Sequence, residues 1–189
     1  MRFVPLILWL GVASGGTAYY FATRPVHESS PPPAPRESSS EGITLPIAGL
    51  RMSDIQDTYA QTRGGARQHE AVDILAPRGT PVHAVADGVV KKLFLSKPGG
   101  ITVYQFDVRE EMSYYYAHLD RYAVGLKEGQ FLKRGEVLGY VGSTGNANPQ
   151  TPHLHFAIFE LKPDKKWWEG APLNPYPLLM KAVRAESAL

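Results

Sequence analysis

Apolar and polar residues alternate in short runs along most of this chain, and Gly, Pro and Asp break the runs at close intervals. An alternation of period two is the mark of strands that bury one face. Strands are predicted over residues 81–86, 89–95, 101–108, 112–119, 136–142 and 153–161. Asp87-Gly88 predicts a hairpin turn between the first two, and Lys97-Pro98-Gly99-Gly100 a turn before the third. A 3.6-residue period shows only near 177–188, with weaker helical spacing at 52–61. This pattern predicts an all-β domain: a single antiparallel sheet or sandwich-like arrangement, with one short C-terminal helix.

The two ends of the pattern differ from its middle. From Phe3 to Thr23 no residue is charged, and Arg2 and Arg24 flank the run. As a helix it is long enough to cross roughly 30 Å of hydrocarbon. The small residues from Ala13 to Ala18 suit a cleaved signal peptide. Tyr19, Tyr20 and Phe21 extend the apolar run and favour a retained membrane anchor. Both readings place the remainder in the cell envelope, as an inner-membrane-anchored periplasmic domain or a secreted one. A spacer follows, rich in proline (Pro31, Pro32, Pro33, Pro35) and serine. It has little to bury and is predicted to be disordered. The expected division is therefore 1–24 anchor or signal, 25–42 linker, 43–178 folded domain and 179–189 helical tail.

Composition narrows the function. Hydrophobic residues make up 43 % and charged residues 20 % of the chain, with a net charge of +2. No basic stripe interleaved with aromatics is present, so no nucleic-acid partner is expected. The absence of cysteine excludes a disulfide scaffold, a thiolate metal site and a thiol nucleophile. Nothing in the sequence speaks for an oligomer, and a monomer is expected.

The chemistry sits in the histidines. Of the six, His27 lies in the spacer, and His83 in an apolar run where a structural role is expected. His153 and His155 lie two apart on a predicted strand, so both imidazoles point to one face. Spacing alone leaves open which of them would bind a metal. His69 and Asp73 are four apart, an even separation that again shares a face on a strand. Val72, Ile74, Pro77 and Gly79 argue for a loop entering a strand there. By alternation Tyr114, Tyr116 and His118 share a face.

Taken together these stretches resemble the lysostaphin/LytM-type peptidoglycan metallopeptidases, the M23 family. The resemblance is carried by six stretches. They are His69-Glu-Ala-Val-Asp73, Ala76-Pro-Arg-Gly-Thr-Pro81, Ala86-Asp-Gly88, Tyr116-Ala-His118-Leu119, Gly139-Tyr-Val-Gly-Ser-Thr-Gly145 and Pro152-His-Leu-His155-Phe. Asn174-Pro175 is similar to the family's closing pair, and Ala71 stands where the family often has glycine. The resemblance implies Zn2+ held by His69, Asp73 and His155, with His118 and His153 as catalytic residues. It also implies endopeptidase action on peptidoglycan peptide stems. Three protein donors leave a fourth position open, which suits catalysis better than a structural zinc module. Tyr116 is a further candidate for oxyanion contact. Residues 143–151 and the Trp167-Trp168 pair are candidate groove walls, with packing the expected role of the tryptophans. The rival expectation is a non-enzymatic LytM-type module that regulates other wall hydrolases. The complete set of five site residues speaks against it.

Overall fold

The computed structural model describes residues 42–63 and 67–188. The expected anchor or signal segment, nearly all of the linker and His27 lie outside them. Among the described residues no helix is long and apolar enough to cross a membrane.

The described chain opens with a 3-10 turn, Met52–Asp54, which is all the helix that forms in the 52–61 stretch. Eleven strands follow among the described residues: β1 (Thr62–Arg63), β2 (Arg67–Gln68), β3 (Val72–Leu75), β4 (Pro81–His83), β5 (Gly88–Ser96), β6 (Gly100–Asp107), β7 (Met112–Tyr122), β8 (Phe131–Leu132), β9 (Val137–Val141), β10 (His153–Leu161) and β11 (Gly170–Leu173). A single α-helix, α1 (Tyr176–Glu186), ends the described chain.

β1 and β2 form a two-stranded ribbon, and the other nine strands form one sheet. Its main path runs β11-β10-β7-β6-β5-β8, with β3 beside β10 and β9 between β4 and β7. Every pairing is antiparallel. The fold class is thus all-β, dominated by one sheet, as the alternation predicts.

Burial follows the two-residue period. Leu154, Phe156 and Ile158 of β10 are buried, while His153 and His155 between them are only half-buried. Tyr114 and Tyr116 of β7 join the same core, and the Tyr116 and Phe156 rings lie 5.4 Å apart. Leu179, Ala182 and Val183 of α1 are buried in that core as well. One face of the central strands therefore builds the interior, and the other is left for the site.

Two local readings of the sequence are corrected. Asp87-Gly88 is not a hairpin turn: β4 pairs with β9, and β5 pairs with β6 and β8. Gly88 opens β5, where a Cβ would stand 2.0 Å from the Phe106 carbonyl oxygen. Its glycine serves close strand approach, which in sequence looks the same as a turn. β7 also runs three residues past the predicted end at Leu119, because its last part finds a new partner in β9. The Lys97-to-Gly100 stretch does form a hairpin, with Ser96 paired to Gly100.

Candidate metal centre

Strand register assembles the centre. In the β3–β10 pair Asp73 lies directly opposite His155, so their side chains leave the sheet as neighbours on one face. His69 precedes β3 and comes in from above: its Nδ1 donates to the Thr58 carbonyl at 3.0 Å, which turns Nε2 toward the pair. The Thr58 hydroxyl accepts from the Asp73 amide at 3.1 Å, so one residue braces both groups.

Three donor atoms converge. His69 Nε2 lies 3.1 Å from Asp73 Oδ1 and 3.1 Å from His155 Nδ1, and His155 Nδ1 lies 3.0 Å from Asp73 Oδ1. Bonds of roughly 2.0–2.1 Å to a tetrahedral zinc put neighbouring donors about 3.3 Å apart. Two imidazole nitrogens and one carboxylate oxygen at these separations suit such an ion in both chemistry and spacing. Burial works to raise the Asp73 pKa, but hydrogen bonds from His155 and His69 outweigh it and hold the carboxyl well below its usual range. Burial lowers the His155 pKa against the pull of Asp73. Asp73 is therefore ionised at neutral pH, the form in which a carboxylate binds a metal.

His118 and His153 stand at the open side. Their rings are 4.9 Å apart, and the His118 ring is 5.5 Å from that of His155. His118 Nδ1 donates to the Thr144 carbonyl at 2.8 Å, and His153 Nδ1 to the Thr151 carbonyl at 2.9 Å. Each imidazole therefore presents Nε2 to the site. Burial pushes the His118 pKa down to about 4, so its ring is neutral at pH 7. Its backbone takes a φ of 58°, and the β6–β7 register shifts beside it.

That irregularity overturns the reading of Tyr116. Alternation would put Tyr116 on the face of His118, but the left-handed residue breaks the period and returns His118 to the face of Tyr115. Tyr116 is wholly buried on the core side. Its hydroxyl accepts from the Val85 amide at 3.0 Å and donates to Gln105 Oε1 at 2.9 Å. It makes no contact with the centre, and Tyr115 lines the groove in its place.

The groove has a volume of about 610 Å3, with all five site residues in its lining. Asn146, Ala147, Asn148 and Thr151 form part of its wall, where residues 143–151 are expected. His83, in β4, is not among its lining residues. Arg63 on β1 is a participant that spacing does not reveal. Its guanidinium donates to Asp73 Oδ2 at 2.5 Å and lies 3.3 Å from His69 Nε2. Only the folding of the ribbon over the groove brings it there. Thr58 likewise gives no sign of its role in sequence, and Thr144, within the 143–151 stretch, reaches His118 through its carbonyl.

Among the described residues His69, Asp73 and His155 form a group that could hold a metal ion, with one side open and two imidazoles beside it, an arrangement that differs from a closed structural site. The chain belongs to peptidase family M23, whose family model matches residues 67–175. It is 35 % identical over 138 residues to the L-Ala--D-Glu endopeptidase of Bacillus subtilis, covering 69 % of this chain and 41 % of that protein. It is 38 % identical over 95 residues to the peptidoglycan DD-endopeptidase ShyC of Vibrio cholerae, covering 49 % of this chain and 20 % of the relative. The chain thus spans less than half the length of these curated relatives. Among solved structures, a putative glycyl-glycine endopeptidase lytM from Ruminococcus gnavus superposes with a TM-score of 0.60 at 31 % identity, covering 76 % of this chain and 60 % of that one. A zinc containing peptidase from Vibrio cholerae gives a TM-score of 0.51 at 25 % identity, covering 62 % and 36 %. The sheet is a LytM-type fold.

Proposed function

We propose that this protein is a zinc-dependent endopeptidase that hydrolyses peptide bonds of peptidoglycan in the cell envelope. The observation that carries this reading is the convergence of His69 Nε2, Asp73 Oδ1 and His155 Nδ1 at 3.0–3.1 Å, with two further imidazoles beside their open side. His69, Asp73 and His155 are the metal residues, and His118 and His153 the catalytic ones. A zinc ion held there would polarise the scissile carbonyl and acidify a water. His153 Nε2, free because Nδ1 is engaged by Thr151, takes up a proton at the open side. His118, kept neutral by burial with its single N–H donated to Thr144, accepts a hydrogen bond at Nε2, and the proton taken up by His153 passes to the leaving amine. Arg63 offers a cationic group to a carboxylate-bearing substrate once Asp73 is engaged by the metal.

Peptidoglycan is the substrate class because the relatives act on it or on a peptide bond of its kind. The bonds that these relatives are named for differ from one another, and fragment analysis identifies the bond that this chain cuts. The uncharged run from Phe3 to Thr23 and the proline–serine spacer support a tethered or exported domain outside the cytoplasm.

The test is digestion of purified peptidoglycan by the full chain, with mass spectrometry of the fragments. Cleavage is expected, loss of cleavage on chelation, and recovery with zinc. Full cleavage by metal-free protein would sink the mechanism. A zinc-loaded protein that cuts nothing would turn the reading toward a regulatory module.

A further inference from the structure

Trp167 and Trp168 take no part in the metal centre, yet they end a continuous run of rings that begins there. The Tyr115 ring lies 5.9 Å from that of His155, and Tyr104 lies 4.5 Å from Tyr115. Trp167 lies 4.9 Å from Tyr104, and Trp168 lies 5.2 Å beyond it. Tyr115 is in register with Tyr104 on one side and Ala157 on the other, and Ala157 shares its face of β10 with His153 and His155. The rings therefore cover the same side of the sheet as the site. Trp168 is 61 % exposed, and an indole so placed adds little to a core.

Beneath the rings is a small cavity of about 40 Å3, lined by Tyr104, Ser113, Phe159, Trp167, Trp168 and Glu169. Ser113 is 1 % exposed. Its hydroxyl is the sole buried side-chain polar atom among the described residues with no hydrogen-bond partner. A buried hydroxyl left unpaired is costly, and such an orphan marks a place where a partner is missing. The Glu169 carboxylate is engaged by Lys162 and lies 3.6 Å from Lys166. The cavity thus has no spare charge for an ionic ligand and is built for a neutral one.

We propose that this aromatic shelf is a carbohydrate subsite that takes an N-acetylated amino sugar of the glycan strand. The inference rests on the peptidoglycan reading above. Flat indole and phenol rings stack against the C–H face of a pyranose. The cavity has room for little more than one water-sized group, roughly 30 Å3 in the liquid. An acetamido methyl fills such a space, and its amide can pair with the Ser113 hydroxyl. Ser113 is in register with Phe159, four residues along β10 from His155. That is ~13 Å of strand, a distance that an extended stem of about four residues can bridge from the sugar to the metal centre.

The experiment titrates the purified full chain with a peptide-free N-acetylglucosamine tetramer and, in parallel, the glucose tetramer of the same linkage. Tryptophan fluorescence and calorimetry are read together. A saturable response to the acetylated sugar alone is expected, weakened about tenfold in Trp168→Ala. Ser113→Ala should weaken it too, with no loss of melting temperature. Trp168→Ala should cleave a sugar-free stem peptide at the unaltered rate but intact peptidoglycan more slowly. No response, or an equal response to both tetramers, would overturn the subsite. So would equal slowing on sugar-free peptide and intact polymer. If the unaltered chain leaves the stem peptide uncut, the peptidase reading fails, and the titration still decides the sugar.

Discussion

At the scale of single residues, two histidines separated by one position stand differently toward Asp73. His155 Nδ1 stands 3.0 Å from Asp73 Oδ1, whereas His153 Nε2 stands 3.8 Å away and is turned by Thr151 toward the open side. His155→Ala leaves two protein donors, so zinc content and activity should both collapse. His153→Ala leaves all three donors. It should keep close to one zinc per chain while activity falls by ~10²–10⁴-fold. Metal analysis of the two purified variants checks this, and the reverse pattern would exchange their roles. Tyr116 carries the opposite lesson. Its two buried hydrogen bonds make it a core residue, and nothing in a run of three tyrosines says which of them faces a groove.

At the scale of elements, His118 depends on two loops packed backbone to backbone. A Cβ on Gly145 would stand 2.4 Å from Gly100 N and 2.4 Å from Pro98 O, and Gly145 itself has a φ of 76°. The loop can approach the β5–β6 hairpin only because both residues are glycine. The neighbouring Thr144 supplies the carbonyl that orients His118 at 2.8 Å and the hydroxyl that accepts from Ile101 N at 2.9 Å. Gly145→Ala must push the loop outward and carry that carbonyl with it. Activity should fall by about 10²-fold, the cost of a shift near 1 Å in a catalytic group. The three donors lie on β3, β10 and the turn before β3, so zinc content should hold. Loss of zinc together with activity would show that the damage is global.

At the scale of the whole molecule, helix and sheet share one interior. Leu179 of α1 is fully buried with Val72, Ile74 and Phe156, which flank the site residues on β3 and β10. Leu179→Ala should therefore cost 2–5 kcal/mol, on the order found for buried leucine truncations. Urea unfolding followed by fluorescence measures it. Activity per folded molecule should be unchanged, because the core face of those strands is the far side from the groove. A much smaller loss would mean that the helix docks loosely.

The sequence by itself determined the strand class, the β10 pair of imidazoles and, through the family resemblance, the five residues that converge on the groove. Alternation and turn residues are local properties, and evenly spaced side chains on a strand share a face whatever the strand packs against. Tertiary structure alone decided three things. It set Asp73 opposite His155 by register, a relation between strands far apart in sequence. It broke the period of β7 at His118, which exchanged Tyr116 for Tyr115 in the groove wall. It brought Arg63, Thr58 and Thr144 to the centre, two of them through backbone carbonyls that every residue carries. Such contributions leave no trace in residue type, because a carbonyl becomes chemistry only where the fold aims it.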